Sequence, residues 1–176
     1  MIETHPFGNF VPQKVSYLIL GSFTGRQAVK GEAAFEDGYD WFYGTRRNQF
    51  WPILEAVYKL ELKDKQSRQA LLARLGMAMA DIILQCERKA GNNLDANLAN
   101  IVYNTAAVGE ILAQNPIEKI YFSSRFVEGR FKQVFKKTIT HYPGLTLVTL
   151  PSPSPRYAQM SIDQKICRYT ELLPNP

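Results

Sequence analysis

The chain has 176 residues, 45% of them hydrophobic and 21% charged, which allows one sizeable core in a single domain over 1–176 and excludes a disordered or fibrous protein. No apolar run is long enough to span a bilayer, and Met1 to His5 lack the basic-then-apolar pattern of a secretion signal, so a cytoplasmic, membrane-free protein is expected. The net charge of +5 is gathered late: residues 118–176 hold nine Lys and Arg against four Asp and Glu, while residues 1–117 hold twelve of each, an asymmetry that suits a polyanion-facing surface.

In chain order, Val15 to Leu20 is an almost unbroken aliphatic run stopped by glycine, the pattern of a parallel strand buried on both faces. A long loop follows, from Gly21 to Arg47, with Gly25, Gly31, Gly38 and Gly44 available for sharp turns. Its length exceeds what a structural connection needs. From Asn48 the period changes: Phe50, Ile53, Leu54, Val57 and Tyr58 define an amphipathic helix that tolerates Pro52 in its first turn. Ser67 to Leu75 forms a second helix, and Met79 to Leu84 a strand or extended edge segment. Thr105 to Gln114 forms a third helix, capped by Asn104 or Thr105 and stopped by Asn115 and Pro116.

Ile117 to Phe122 is another buried strand. Ser123 or Ser124 then caps a helix running to about Lys137, with Val127, Phe131, Val134 and Phe135 inward and Arg125, Lys132 and Lys136 outward. Leu145 to Leu150 is a final strand, and Ser161 with Gln164 makes a capping box before a helix with the stripe Ile162, Ile166, Tyr169, Leu173. Strands alternating with helices predict a three-layer α/β/α sandwich around a mostly parallel sheet of about four strands, with ligands beyond the strands' carboxyl ends.

Two loops leave such ends with unusual composition. After Leu20 stands Gly21-Ser22-Phe23-Thr24-Gly25; after Leu150 stands Pro151-Ser152-Pro153-Ser154-Pro155-Arg156. Between them Trp41 to Trp51 packs flat rings, Arg46, Arg47 and the amide of Asn48 into eleven residues, the mixture needed to hold a nucleobase beside a phosphodiester. Cys86 and Cys167 stand alone, without CxxC or histidine spacing, and are expected as buried spectator thiols. No metal and no organic cofactor is expected.

This ordered set resembles the uracil-DNA glycosylase superfamily, most closely its mismatch-specific and hypoxanthine-DNA glycosylase branches, over Leu18 to Leu173. The Gly-x-x-x-Gly loop at Gly21 to Gly25, the Asn-x-Phe-Trp segment at Asn48 to Trp51 and the Pro/Ser-rich loop at Pro151 to Tyr157 carry the likeness. It implies a monofunctional enzyme, expected as a monomer, that hydrolyses the N-glycosidic bond of a uracil or hypoxanthine turned out of DNA. By that likeness, residues 21–25 and Tyr43 form the base pocket, Tyr43 as the stacking aromatic. Asn48 holds the water or bonds the departing base, and Arg47 with Ser152, Pro153, Ser154, Pro155 and Arg156 contacts DNA.

One departure stands out. The mismatch-specific branch places an asparagine at the middle of the first loop and other branches an aspartate, whereas this chain has Phe23. Phe23 either walls the base pocket or fills it, and in the second case the fold is a catalytically silent module that binds nucleic acid or a nucleotide. Other residues keep plainer alternatives. Asn48 also stands where the following helix needs a cap, and Trp41, Phe42 and Tyr43 also suit core packing. Asp37 and Asp40 suit turn formation better than catalysis, and Asp81 suits a capping or structural role. Arg46, Arg47 and Arg156 suit phosphate contacts; His5 and His141 are isolated and are expected at a terminus or on the surface.

Overall fold

A computed structural model of the chain describes residues 2–24, 41–89 and 95–176. Gly25, Gly31, Gly38, Asp37 and Asp40 lie outside the described residues. Four strands, β2 (Tyr17–Gly21), β3 (Met77–Asp81), β6 (Lys119–Phe122) and β7 (Thr146–Thr149), form a parallel sheet in the order β3-β2-β6-β7. The period-two geometry of a strand sends alternate side chains to opposite faces. Ile19, Met77, Met79 and Tyr121 meet α1 (Phe50–Tyr58), α2 (Lys65–Arg74) and α6 (Ile162–Leu172) on one face. Leu18, Leu20, Ala78, Ala80, Ile120 and Phe122 meet α3 (Thr105–Gln114), α4 (Arg125–Val134) and α5 (Lys136–His141) on the other. The expected three-layer α/β/α sandwich is therefore present, and burial on both faces explains why these strands read as unbroken apolar runs.

Several local expectations are corrected. Met79 to Leu84 is not one strand: β3 ends at Asp81 and β4 (Ile83–Arg88) starts after the single residue Ile82. Strand β4 belongs to a second, antiparallel sheet ordered β1-β4-β5, with β1 (Ile2–Thr4) and β5 (Leu98–Tyr103). The crossing is pinned by Ile82 N–H to Gly21 O (2.9 Å), Ile83 N–H to Ser22 O (3.1 Å) and Asn104 N–H to Ile82 O (2.8 Å). The helix after β6 is two helices that part at Phe135, a fully buried ring stacked on Phe131 (centroids 4.7 Å apart) with φ −98° and ψ 24°. Ser124, rather than Ser123, caps α4 by accepting from Val127 N–H.

Helix α6 keeps the expected capping box, in which Ser161 Oγ accepts from Gln164 N–H and Gln164 Oε1 from Ser161 N–H. Its buried stripe is displaced, however: Ile162 is exposed and Lys165 takes the inward position with Tyr169 and Leu173. Cys86 is buried as expected, but Cys167 is exposed. No helix among the described residues is long and apolar enough to cross a membrane.

Candidate nucleic-acid site

All four parallel strands deliver residues to one cavity of about 1180 Å³ at their carboxyl ends, where an open α/β sheet places ligands. Ser22, Phe23 and Thr24 follow β2, Asp81 ends β3, Ser123 follows β6, and Leu150 to Tyr157 follow β7. Tyr43, Arg47, Asn48 and Asp95 also line the wall.

The aromatic segment divides by role. Trp41 and Phe42 are core residues, 2% and 1% exposed; Trp41 stacks on Trp51, whose indole N–H donates to Phe42 O at 2.7 Å. Phe42 and Tyr43 border the cavity, while Trp41 does not. The Tyr43 ring is half-buried, with Phe50 against it (centroids 4.3 Å, interplanar angle 27°), and its φ of +56° is a left-handed conformation that a bulky residue adopts only under constraint. The Tyr43 hydroxyl is fully buried and makes no well-formed hydrogen bond among the described residues, with the Ser123 side chain within its reach. Burial, and then the Asp81 carboxyl nearby, holds that phenol well above its ordinary pKa. A side chain at Gly21 would overlap both Asp81 Oδ1 and this hydroxyl, so the first glycine of the loop is required by close approach.

Asn48 reaches the cavity and also serves the backbone. The formal cap of α1 is Gln49, whose side chain makes no cap bond, while Asn48 Oδ1 accepts from Phe50 N–H at 2.9 Å. The amide thus has its oxygen engaged and its Nδ2 donor without a partner among the described residues. Phe23 is half-buried on the cavity wall, edge-on to His5 at 5.7 Å and beneath the Arg88 guanidinium at 5.4 Å, and it leaves the hollow open.

The Pro/Ser loop is tied to the segment carrying Asn48. Gln49 N–H donates to Pro153 O (2.9 Å), Lys165 Nζ donates to Gln49 Oε1 (2.8 Å) and Ser154 O (3.0 Å), and Tyr169 donates to Pro151 O (2.8 Å). Within the loop, Ser152 Oγ accepts from Ser154 N–H and Ser154 Oγ from Arg156 N–H, both at 3.3 Å, so the serines shape the turn themselves. Pro153 is buried, Pro155 and Arg156 exposed. Burial lowers the pKa of Lys165, which is 1% exposed, and the Tyr157 ring lies 5.5 Å from its ammonium. Lys165→Met removes the donor to two part-buried oxygens and is expected to destabilise the chain by about 1–3 kcal/mol, read as a lower urea midpoint at unchanged slope.

Three residues of the site were not among the sequence candidates. His5 is not a surface group: its side chain is 5% exposed and its Nε2 lies 2.9 Å from Asp81 Oδ2. Asp81 is a carboxyl 5% exposed at the cavity wall, and its position at the end of the apolar run Met77 to Ala80 was a readable signal. Asp95 follows a Gly/Asn-rich stretch, where an aspartate resembles a turn former, and nothing local distinguished it. Its pKa is raised by burial and by Asp81, against a Ser22 hydrogen bond and the Arg88 charge. Arg125 and Arg168 also border the cavity, while Arg47 is exposed at its rim. Among the described residues no group of three or more His, Cys, Asp or Glu side chains is placed to hold a metal ion.

The molecule is a parallel α/β/α sandwich with an arginine-rimmed cavity of mixed polar and apolar lining at its strand ends. Over nearly its whole length this chain shares the fold of a Methanosarcina acetivorans protein, solved in solution by NMR and described as a candidate uracil DNA glycosylase. The TM-score is 0.65 at 18% identity, covering 98% of this chain and 99% of that one. No protein-family model matches the sequence, and no curated protein matches it.

Proposed function

We propose that the chain is a DNA glycosylase that hydrolyses the N-glycosidic bond of a deaminated base, uracil or hypoxanthine, extruded from DNA into the cavity. The observation that carries this reading is the convergence on one hollow of a half-exposed Tyr43 ring, the Asn48 Nδ2 donor, which has no partner among the described residues, and the Pro/Ser loop. The cavity exceeds the roughly 300–1,000 Å³ usual for small-molecule pockets, giving room for a base with its sugar and phosphates. Tyr43, backed by Phe50, offers a flat surface for the base. The backbone of residues 22–24 borders the position a base carbonyl would take.

As the glycosidic bond breaks, its electron pair leaves with the base and the sugar gains oxocarbenium character. A donor at the base lowers that barrier. Asn48 suits this role better than activation of water, because its oxygen is already bonded to Phe50 N–H and its remaining capacity is to donate. Pro155 and Arg156, exposed at the tip of the braced loop, face the duplex, and Arg47 meets the phosphates at the rim.

The test is incubation with oligonucleotides carrying a single uracil, hypoxanthine or xanthine, followed by alkaline cleavage of abasic sites. Strand breaks at one or more lesions are expected. Binding without breaks at any of them favours the silent module, whose support is Phe23 in place of the usual amide or carboxylate. In either case Arg47→Ala and Arg156→Ala are expected each to reduce the slope of log affinity against log salt by about 1, measured by fluorescence anisotropy.

A further inference from the structure

The loop position held by Phe23 lacks the group that orients or deprotonates water, yet the cavity contains carboxyls that arrive from elsewhere in the chain. Asp81 comes from the end of β3 and Asp95 from the short helical turn Asp95–Asn97 before β5, and both line the hollow. Asp95 lines the same hollow as Ser22 and Phe23, with the Ser22 side chain favouring its ionised form, so this carboxyl borders the loop whose own middle side chain is apolar. We propose that Asp95 is the general base of the hydrolysis, with Asp81, held by His5, as a positioning carboxyl beside it. This rests on the glycosylase reading given above.

Two further observations mark the cluster as a site rather than a structural ion pair. The Tyr43 hydroxyl is fully buried within reach of Asp81 and Ser123 yet makes no well-formed hydrogen bond among the described residues, and such a buried donor is uncommon outside functional centres. The cation whose charge acts on Asp95 is also committed elsewhere: Arg88 Nε donates to Glu3 Oε2 at 3.0 Å, and the same guanidinium donates to Thr24 O and covers Phe23. Among the described residues, the groups facing Asp95 are Ser22, Asp81, Arg88 and Tyr43, with His5 behind Asp81 and Glu3 behind Arg88.

The step balances without an external reagent. Water attacks C1′ and forms the new C–O bond, Asp95 takes one water proton, and the C1′–N bond breaks with its electron pair on the base. The base is stabilised by Asn48 Nδ2 and is protonated on release, as the Asp95 proton returns to solvent. Two carboxyls near the sugar also favour the positive charge that grows at C1′. Asp95 must be ionised to act, and burial with Asp81 raises its pKa, so the rate falls with decreasing pH above the ordinary carboxylate range.

The experiment is single-turnover excision from about pH 5 to pH 9 by wild type, Asp95→Asn and Asp95→Glu, with binding to abasic product DNA and melting temperature measured alongside. Asp95→Asn is expected to slow excision at least about a hundredfold, to bind product within about threefold of wild type, and to lose the acid limb that Asp95→Glu retains. Excision by Asp95→Asn within about threefold of wild type, or a loss matched by equal losses of binding and melting with the pH profile unchanged, overturns the assignment. Absence of excision by the wild type at every lesion overturns the glycosylase reading itself, and this assignment with it.

Discussion

Gly21→Ala is expected to abolish base excision while leaving a folded chain. The added methyl would overlap Asp81 Oδ1 and the Tyr43 hydroxyl and stand 3.2 Å from Asp81 Cγ, so both side chains must shift. Asp81 is 5% exposed and bonded to His5, and Tyr43 is held by Phe50 in a left-handed backbone conformation. Overpacking of this kind costs about 1–3 kcal/mol, which for a chain of this length lowers the melting temperature by roughly 2–4 °C per kcal/mol. The larger effect falls on the site, because the two side chains that must move both line the cavity. Circular dichroism with a native-like spectrum, a modest loss of melting temperature and no detectable excision is the expected set.

Asn48→Ala is the second large effect, and it separates the two jobs of one amide. Removing Nδ2 deletes a donor to the leaving base, a loss of about a hundredfold to a thousandfold in single-turnover rate. Removing Oδ1 leaves Phe50 N–H unpaired at the start of α1, at a cost of about 1 kcal/mol. Asn48→Asp distinguishes them: its carboxylate still accepts from Phe50 N–H, so stability is expected to stay near wild type while the donor, and the rate it supports, is lost. Equal stability losses in both variants, with excision intact, would reduce Asn48 to a helix-capping residue.

The parallel sheet was largely legible because burial on both faces leaves near-continuous apolar runs such as Val15 to Leu20 and Ile117 to Phe122, and Ser161 with Gln164 announced α6 by its capping box. Strand β3 is the exception: the pattern starts it two residues late and runs it into β4, as Met79 to Leu84. The antiparallel sheet was not legible, because its strands mix buried Ile83 and Cys86 with exposed Leu84 and Val102 and shift register twice between β4 and β5. One residue, Ile82, separates a strand of one sheet from a strand of the other, and a pattern window cannot resolve so short a join. Lys165 was hidden for a different reason. A lysine on an amphipathic helix is normally solvated, and only the tertiary acceptors Gln49 Oε1 and Ser154 O make its burial tolerable.

The candidate site divides along the same line. Residues contiguous in sequence, such as Tyr43 with Asn48 or Ser152 to Arg156, could be nominated from composition, and they border one cavity. The His5–Asp81 contact joins positions 76 apart and follows from the sheet crossing alone, so no local pattern carries it.

The central claim is that an extruded base enters this cavity, with its face on Tyr43 and its edge at Asn48. It is tested most directly by following the Asn48 side-chain amide in 15N-labelled protein during titration with duplex DNA bearing a 2′-fluoro uracil or hypoxanthine nucleotide, which resists hydrolysis. A lesion-dependent shift of the Asn48 Nδ2 resonance, absent with undamaged duplex and lost in Gly21→Ala, is the predicted result. DNA binding that perturbs the arginine-bearing rim but leaves Asn48 and Tyr43 unchanged with every lesion would contradict it.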